Sequence, residues 1–183
     1  MKNLFLVLTV ILFSTTFVAA QKWYPGYIIT QRGDTTQGEI KFNKNLLYNE
    51  IEFKTEEGGV RNFSPEQLRG YSFNNRHFTR NERVSNIVFV EKKVDGYADL
   101  YETNLFVRVG TTNPPSGYKV NYFVKKEDGD FIPITKSDFK DTMYMFVNDS
   151  NDLRKKIKDK KLKYKHLAQI IEEYNSWYTA NNK

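Results

Sequence analysis

Apolar and polar residues alternate with a period of two along most of the chain as far as residue 135. In Glu39-Ile40-Lys41-Phe42 the charged pair faces water while Ile40 and Phe42 face inward, the pattern of a half-buried strand. Ile51-Glu52-Phe53-Lys54 repeats it. Further strands are predicted at Tyr27–Gln31, Val60–Phe63, Gly70–Phe73, His77–Arg80, Tyr97–Glu102, Leu105–Val109 and Phe131–Ile134. Ile87-Val88-Phe89-Val90 is apolar on both faces, so it reads as a central strand covered on both sides. Tyr118, Val120, Tyr122 and Val124 alternate with Lys119, Asn121 and Lys125, interrupted by Phe123. Turn residues punctuate these runs: Arg32-Gly33-Asp34-Thr35, Glu57-Gly58-Gly59, Asp95-Gly96, Thr112–Gly117 and Asp128-Gly129. Ser64-Pro65-Glu66-Gln67 has the composition of a helical turn.

After residue 135 the spacing becomes helical, and neither Gly nor Pro occurs again. Thr135 or Ser137 caps a first helix whose Phe139, Met143, Phe146 and Val147 share one face. Ser150-Asn151-Asp152 caps a second, carrying Leu153 and Ile157. Tyr164, Leu167, Ile171, Tyr174 and Tyr178 form the apolar seam of a third, with Glu172 and Glu173 on its other side. The seam is too short for a coiled coil and is expected to pack on the β part or on the preceding helix. The expected fold is α+β: an antiparallel twisted sheet or open barrel over 22–135, followed by two or three C-terminal helices. The domain reading is a signal peptide at 1–20, a β domain at 21–135 and a helical tail at 136–183 packed on it.

The first twenty residues stand apart. Lys2 precedes the apolar run Leu4–Phe13, and Val18 and Ala20 suit the two positions that signal peptidase reads. Cleavage is expected between Ala20 and Gln21, leaving 163 of the 183 residues. The apolar run is half of the ~20 residues that a membrane-spanning helix needs. No cysteine follows it, so it carries no lipid-attachment box. The expected location is periplasmic or secreted, soluble after cleavage, with no transmembrane segment. The chain has no cysteine at all, so its stability has to come from packing. Twelve Tyr, fourteen Phe and two Trp supply the bulk for it, an aromatic content suited to twisted antiparallel sheet.

Gly26-Tyr27-Ile28-Ile29-Thr30, Gly33-Asp34-Thr35 and Gly38-Glu39-Ile40 resemble the opening of a group of small exported proteins from Bacteroidetes-type bacteria. Phe63–Glu66 with Leu68–Tyr71, Val94–Gly96 with Leu100-Tyr101, Tyr122–Lys126, and Leu167 to Tyr174-Asn175 continue the likeness through most of the exported chain. The resemblance implies the envelope of a Gram-negative cell. It brings no catalytic residue to carry over.

Candidate chemistry is sparse. Arg32-Gly33-Asp34 reads as a hairpin turn before it reads as an adhesion tripeptide. His77 and His166 are the only histidines and have no metal-ligand spacing, so no metal and no cofactor is expected. Asp128 and Asp130 around Gly129, Glu56-Glu57 and Glu172-Glu173 read as solvated turns and faces. The chain is basic, with net charge +6, and the charge concentrates in Arg154–Lys165. Eight of those twelve residues are basic: Arg154, Lys155, Lys156, Lys158, Lys160, Lys161, Lys163 and Lys165. They form a candidate anion-binding surface. Helical spacing separates Lys155, Lys158 and Lys161 from Lys156, Lys160 and Lys163, so the same residues also fit a solvated face. Arg76, Arg80 and Arg83 are a second basic cluster that can join that surface if the fold brings them together.

These features point to an exported, non-catalytic envelope module that binds a protein partner or an anionic envelope polymer, whether polysaccharide or lipid head groups. Export argues against nucleic acid. Two alternatives stay open. One is a carboxylate-only hydrolase of envelope glycans, which needs two inward-facing acids in one cleft. The other is an electrostatic membrane-surface binder acting through 154–165.

Overall fold

In the computed structural model the described residues are 22–41, 43, 48–82, 87–105, 119–127 and 129–182. The export signal read at 1–20, most of the strand expected at Leu105–Val109, the loop 112–117, and Phe42, Arg83 and Asp128 lie outside them. The described strands are β1 (Trp23–Thr30), β2 (Thr35–Lys41), β3 (Ile51–Thr55), β4 (Val60–Phe63), β5 (Leu68–Phe73), β6 (Arg76–Asn81), β7 (Val88–Val94), β8 (Ala98–Leu105), β9 (Lys119–Lys126) and β10 (Ile132–Ile134). They form one antiparallel sheet in the order β10-β9-β8-β7-β6-β5-β1-β2-β3-β4. Helices α1 (Phe139–Phe146), α2 (Asn151–Lys158) and α3 (Leu167–Asn181) follow, the last preceded by a 3-10 turn at Tyr164–His166. The chain is therefore α+β, with an open sheet and C-terminal helices, as its periodicity indicates.

Local turn chemistry sets most connections. Asn74 and Asn75 both take positive φ (49° and 58°), the two-residue geometry that closes the β5–β6 hairpin. Arg32-Gly33-Asp34 is the β1–β2 turn: Gly33 has φ 96°, and the Thr30 N–H donates to the Asp34 carbonyl at 2.9 Å. Ser64–Gln67 is a single turn closed by the Gln67 N–H on the Ser64 carbonyl at 3.0 Å.

That last turn dictates the shape of the first half. Through β3 and β2, Phe63 stands in register with the Trp23 end of β1, whereas Leu68 pairs with Thr30 at the other end. On a flat sheet these positions would lie about 30 Å apart. The Ser64–Gln67 turn spans at most about 15 Å. The sheet closes the gap by coiling on itself around Ile28, Ile40, Phe53, Leu68, Tyr71, Phe78 and Phe89. Tyr71 stacks on Phe78 at 4.4 Å and meets Phe89 edge-on at 4.9 Å.

The second half, β7–β10, stays open and is covered on one face by the helices. Val94, Leu100, Val124 and Ile134 from the strands meet Phe139, Met143, Phe146, Leu153, Ile157, Ile170, Ile171 and Tyr174 from the helices in one core. The seam of α3 thus packs on β7 and β8, with Ile170 added to it. The opposite face carries a smaller cluster of Val88, Val90, Tyr101 and Phe123. β7 is consequently buried on both faces, as its unbroken apolar run requires.

Candidate functional site

The basic segment lies where α2 turns into α3. Leu153, Ile157 and Leu162 are buried and anchor it. Helix α2 ends at Lys158, so helical spacing governs only 154–158, and Lys160, Lys161 and Lys163 lie in the linker between the helices. Beyond it, the Lys161 N–H donates to the Lys156 carbonyl and the Lys160 N–H to the Ile157 carbonyl, with Lys160 at φ 59°. This is the Schellman ending, in which a left-handed residue satisfies the last carbonyls of a helix.

Two of the eight basic residues are engaged by neighbouring side chains. The Arg154 guanidinium lies 4.2 Å from the Tyr144 ring centre. Lys156 bridges Asp152 at 2.7 Å and Glu173 at 3.1 Å, and hydrogen bonds to these carboxylates raise its pKa. The other six, Lys155, Lys158, Lys160, Lys161, Lys163 and Lys165, are exposed and make no ion pair among the described residues. Lys155 and Lys158 sit in the last turn of α2, where the helix's partial negative charge favours cations.

Of the second basic cluster, Arg76 and Arg80 lie on β6 and meet acids there. Arg76 holds Glu91 by a two-pronged pair, Nε to Oε1 at 2.9 Å and Nη2 to Oε2 at 2.8 Å. Arg80 pairs with Glu82. Their charge is spent on neighbouring acids.

Glu91 belongs to a polar stripe lying on one sheet face between the coiled core and the helix-covered core. It faces Glu102 across β7 and β8, with Phe89 two residues before it and Leu100 two residues before Glu102. Lys93 Nζ bridges the two, 3.0 Å from Glu91 Oε2 and 3.1 Å from Glu102 Oε2. The two oxygens are thus no more than about 6 Å apart, a separation a glycosidase can use. Glu91 is not held in the protonated form that the general acid of such a pair needs. Burial works to raise the Glu91 carboxyl, but hydrogen bonds from Arg76 and Lys93 outweigh it and hold it below the usual range. A general acid needs a raised carboxyl. Glu91 and Glu102 instead resemble a neutralised structural network.

The remaining sequence candidates do not converge. His77 is exposed on β6, whereas His166 Nδ1 accepts the Lys163 N–H at 3.2 Å beside α3. Asp130, Glu56 and Glu57 are exposed, the last two at the β3–β4 turn. Among the described residues no group of three or more His, Asp or Glu is placed to hold a metal ion, and no helix is long and apolar enough to cross a membrane.

Sequence reasoning overlooked a groove of about 400 Å³ between α2 and α3, bordered by Ser150, Asp152, Lys156, Gln169, Glu173 and Trp177. Its one sequence signal is Trp177, three residues after Tyr174 and off the apolar seam. Comparison with protein-family models, curated proteins and solved structures found no match for this chain.

Proposed function

We propose that this chain is an exported, non-catalytic envelope module that binds an anionic envelope polymer through the lysine corner at Lys155–Lys165. One observation carries the reading: six exposed lysines, without ion pairs among the described residues, crowd an eleven-residue stretch whose Ile157 and Leu162 are anchored in the core. Elsewhere several cations meet a carboxylate, as Lys41 meets Glu52, Lys54 meets Glu39 and Lys92 meets Asp99. Unpaired cations held on a fixed scaffold attract a polyanion at long range and release its counterions on contact. The paired state of Glu91 speaks for a binding module over the carboxylate-only hydrolase.

The test is binding of the exported protein to immobilised polyuronate and to lipopolysaccharide at several salt concentrations. Affinity falls steeply as salt rises. Replacing Lys155, Lys158 and Lys161 by Gln weakens it about 10–100-fold. Binding that persists in high salt, or that the triple variant retains, overturns the reading. Binding to anionic lipid vesicles alone, without polymer binding, favours the membrane-surface alternative instead.

A further inference from the structure

The groove between α2 and α3 is separate from the lysine corner and opposite to it in charge. Asp152, Glu172 and Glu173 border it against a single cation, Lys156. Lys156 crosses from one helix to the other, tied to Asp152 and Glu173. Gln169 Nε2 donates to Glu173 Oε1 at 2.8 Å, which fixes that carboxylate and leaves the Gln169 amide oxygen for another donor. The volume, about 400 Å³, falls within the range of small-molecule sites.

Two observations indicate that the groove is built for a ligand. Ser150 stands at the N-cap of α2, yet its hydroxyl makes no cap hydrogen bond. Ser150 is 1% exposed and its Oγ has no hydrogen-bond partner among the described residues. A buried hydroxyl left without a partner is costly and rare. Trp177, half-buried, stacks on the fully buried Tyr174 with ring centres 5.7 Å apart and planes 16° from parallel. One indole face is spent there, and the rest of the ring borders the groove as a rigid apolar surface.

An apolar ring surface beside carboxylates, an amide and a hydroxyl matches a ligand with a flat C–H face and a rim of hydroxyl donors. The acidic balance disfavours an anion. We propose that this groove is a saccharide subsite taking one uncharged or amino-bearing sugar ring. Trp177 serves as its platform, Asp152 and Glu173 accept from its hydroxyl or amino groups, and Ser150 supplies one further hydrogen bond.

The chain's two tryptophans make the site readable. In the Trp23→Phe variant of the exported protein, Trp177 is the sole indole. Its emission is followed during titration with cello-oligosaccharides, glucosamine oligomers, oligogalacturonate and oligolysine. The expected result is a saturable shift with the cello- or glucosamine oligomers. Adding Ser150→Ala weakens it about three- to ten-fold, and Asp152→Asn weakens it as well. Gln in place of Lys155, Lys158 and Lys161 leaves it unchanged, so a failed lysine corner and a failed groove are told apart. The proposal is overturned if neither neutral nor amino sugars shift the emission, or if only oligogalacturonate or only oligolysine does. It is equally overturned if Ser150→Ala raises thermal stability and leaves sugar binding untouched, the signature of a merely structural hydroxyl.

Discussion

Asn175 on α3 takes hold of both backbone polar groups of Ala98 at the start of β8. Its Oδ1 accepts the Ala98 N–H at 2.7 Å and its Nδ2 donates to the Ala98 carbonyl at 2.8 Å. The amide pairs with β8 as a neighbouring strand would, beyond the end of β7, and it docks the last helix on β8. Gly96 makes room: a Cβ there would stand 2.3 Å from Asn175 Nδ2. Asn175→Ala is expected to cost about 2–3 kcal/mol by leaving buried groups unpaired. Asn175→Asp is expected to destabilise too despite its near-identical shape, because a carboxylate accepts from the N–H but repels the carbonyl. Urea unfolding of the two variants checks both.

Lys126 shows the same tail being tied down by charge. Its ammonium lies 4.9 Å, 5.3 Å and 5.9 Å from the ring centres of Tyr174, Phe146 and Tyr97, and 3.6 Å from Asp149. Tyr174 Oη in turn donates to Asp149 at 2.7 Å. A strand residue thus joins β9 to α1 and α3 through an internal aromatic cage. Lys126→Met is expected to lose about 1–2 kcal/mol of stability. A double-mutant cycle with Asp149→Asn is expected to show coupling above ~0.5 kcal/mol, and additivity would refute the cage.

These contacts mark the limit of what the sequence discloses. Ile40, Phe53, Met143 and Ile171 occupy core positions that alternation or helical spacing picks out directly, because those patterns are local. The return of β5 to β1 is not local. It depends on how far Ser64–Gln67 can reach, and no period in the chain encodes that. Gly96 reads as a turn glycine chosen for its backbone, yet φ is not positive there and the space taken by Asn175 decides it. For the lysine corner, the sequence supplies every residue, but only the structure separates Arg154 and Lys156, engaged by Tyr144, Asp152 and Glu173, from the other six. The α2–α3 groove stays hidden because its lining comes from positions outside the seam.

The coil of the first half rests on a cross-strand pair of glycines, Gly26 opposite Gly38. A Cβ on Gly38 would meet the Lys54 carbonyl oxygen at 2.3 Å and the Phe53 ring at 2.5 Å. The Phe53 ring fills the space a side chain would claim. Gly38→Ala is therefore expected to destabilise by about 2–4 kcal/mol. Gly59→Ala is the control: its Cβ has only an ordinary 3.6 Å contact with Thr55, and its effect is expected within about 0.5 kcal/mol. Equal losses for the two would remove steric closure as the reason for the coil.

Ionisation bounds the working range from both sides. Burial pushes the hydroxyls of Tyr71, Tyr101 and Tyr174 above their ordinary value of 10.0, with hydrogen bonds to Asp99 and Asp149 adding to the shift of the latter two. Groups raised in the folded state contribute stability that is complete below the unfolded value and is lost as pH climbs past it. Glu91 behaves oppositely: its contribution is present above the ordinary 4.5 and is lost as pH falls through its lowered folded value. Thermal melting against pH is expected to show a plateau bounded by these limits. The phenolate absorbance of the three tyrosines is expected to appear only together with unfolding.

Lys160 sets stability against the proposed binding. It occupies the left-handed position that ends α2, at φ 59°, where glycine suffers no side-chain clash. Lys160→Gly is expected to stabilise the fold by about 0.5–1 kcal/mol. The same change removes one of six exposed lysines at the corner. Polyanion affinity is therefore expected to fall about three- to ten-fold, in line with the worth of one lysine near an anionic surface. A helix end built for stability alone would favour glycine at this position, so opposite signs in the two measurements would show that the charge is kept at a cost to the fold. If Lys160→Gly raises the melting temperature and leaves polyuronate binding unchanged, the corner is only a solvated turn.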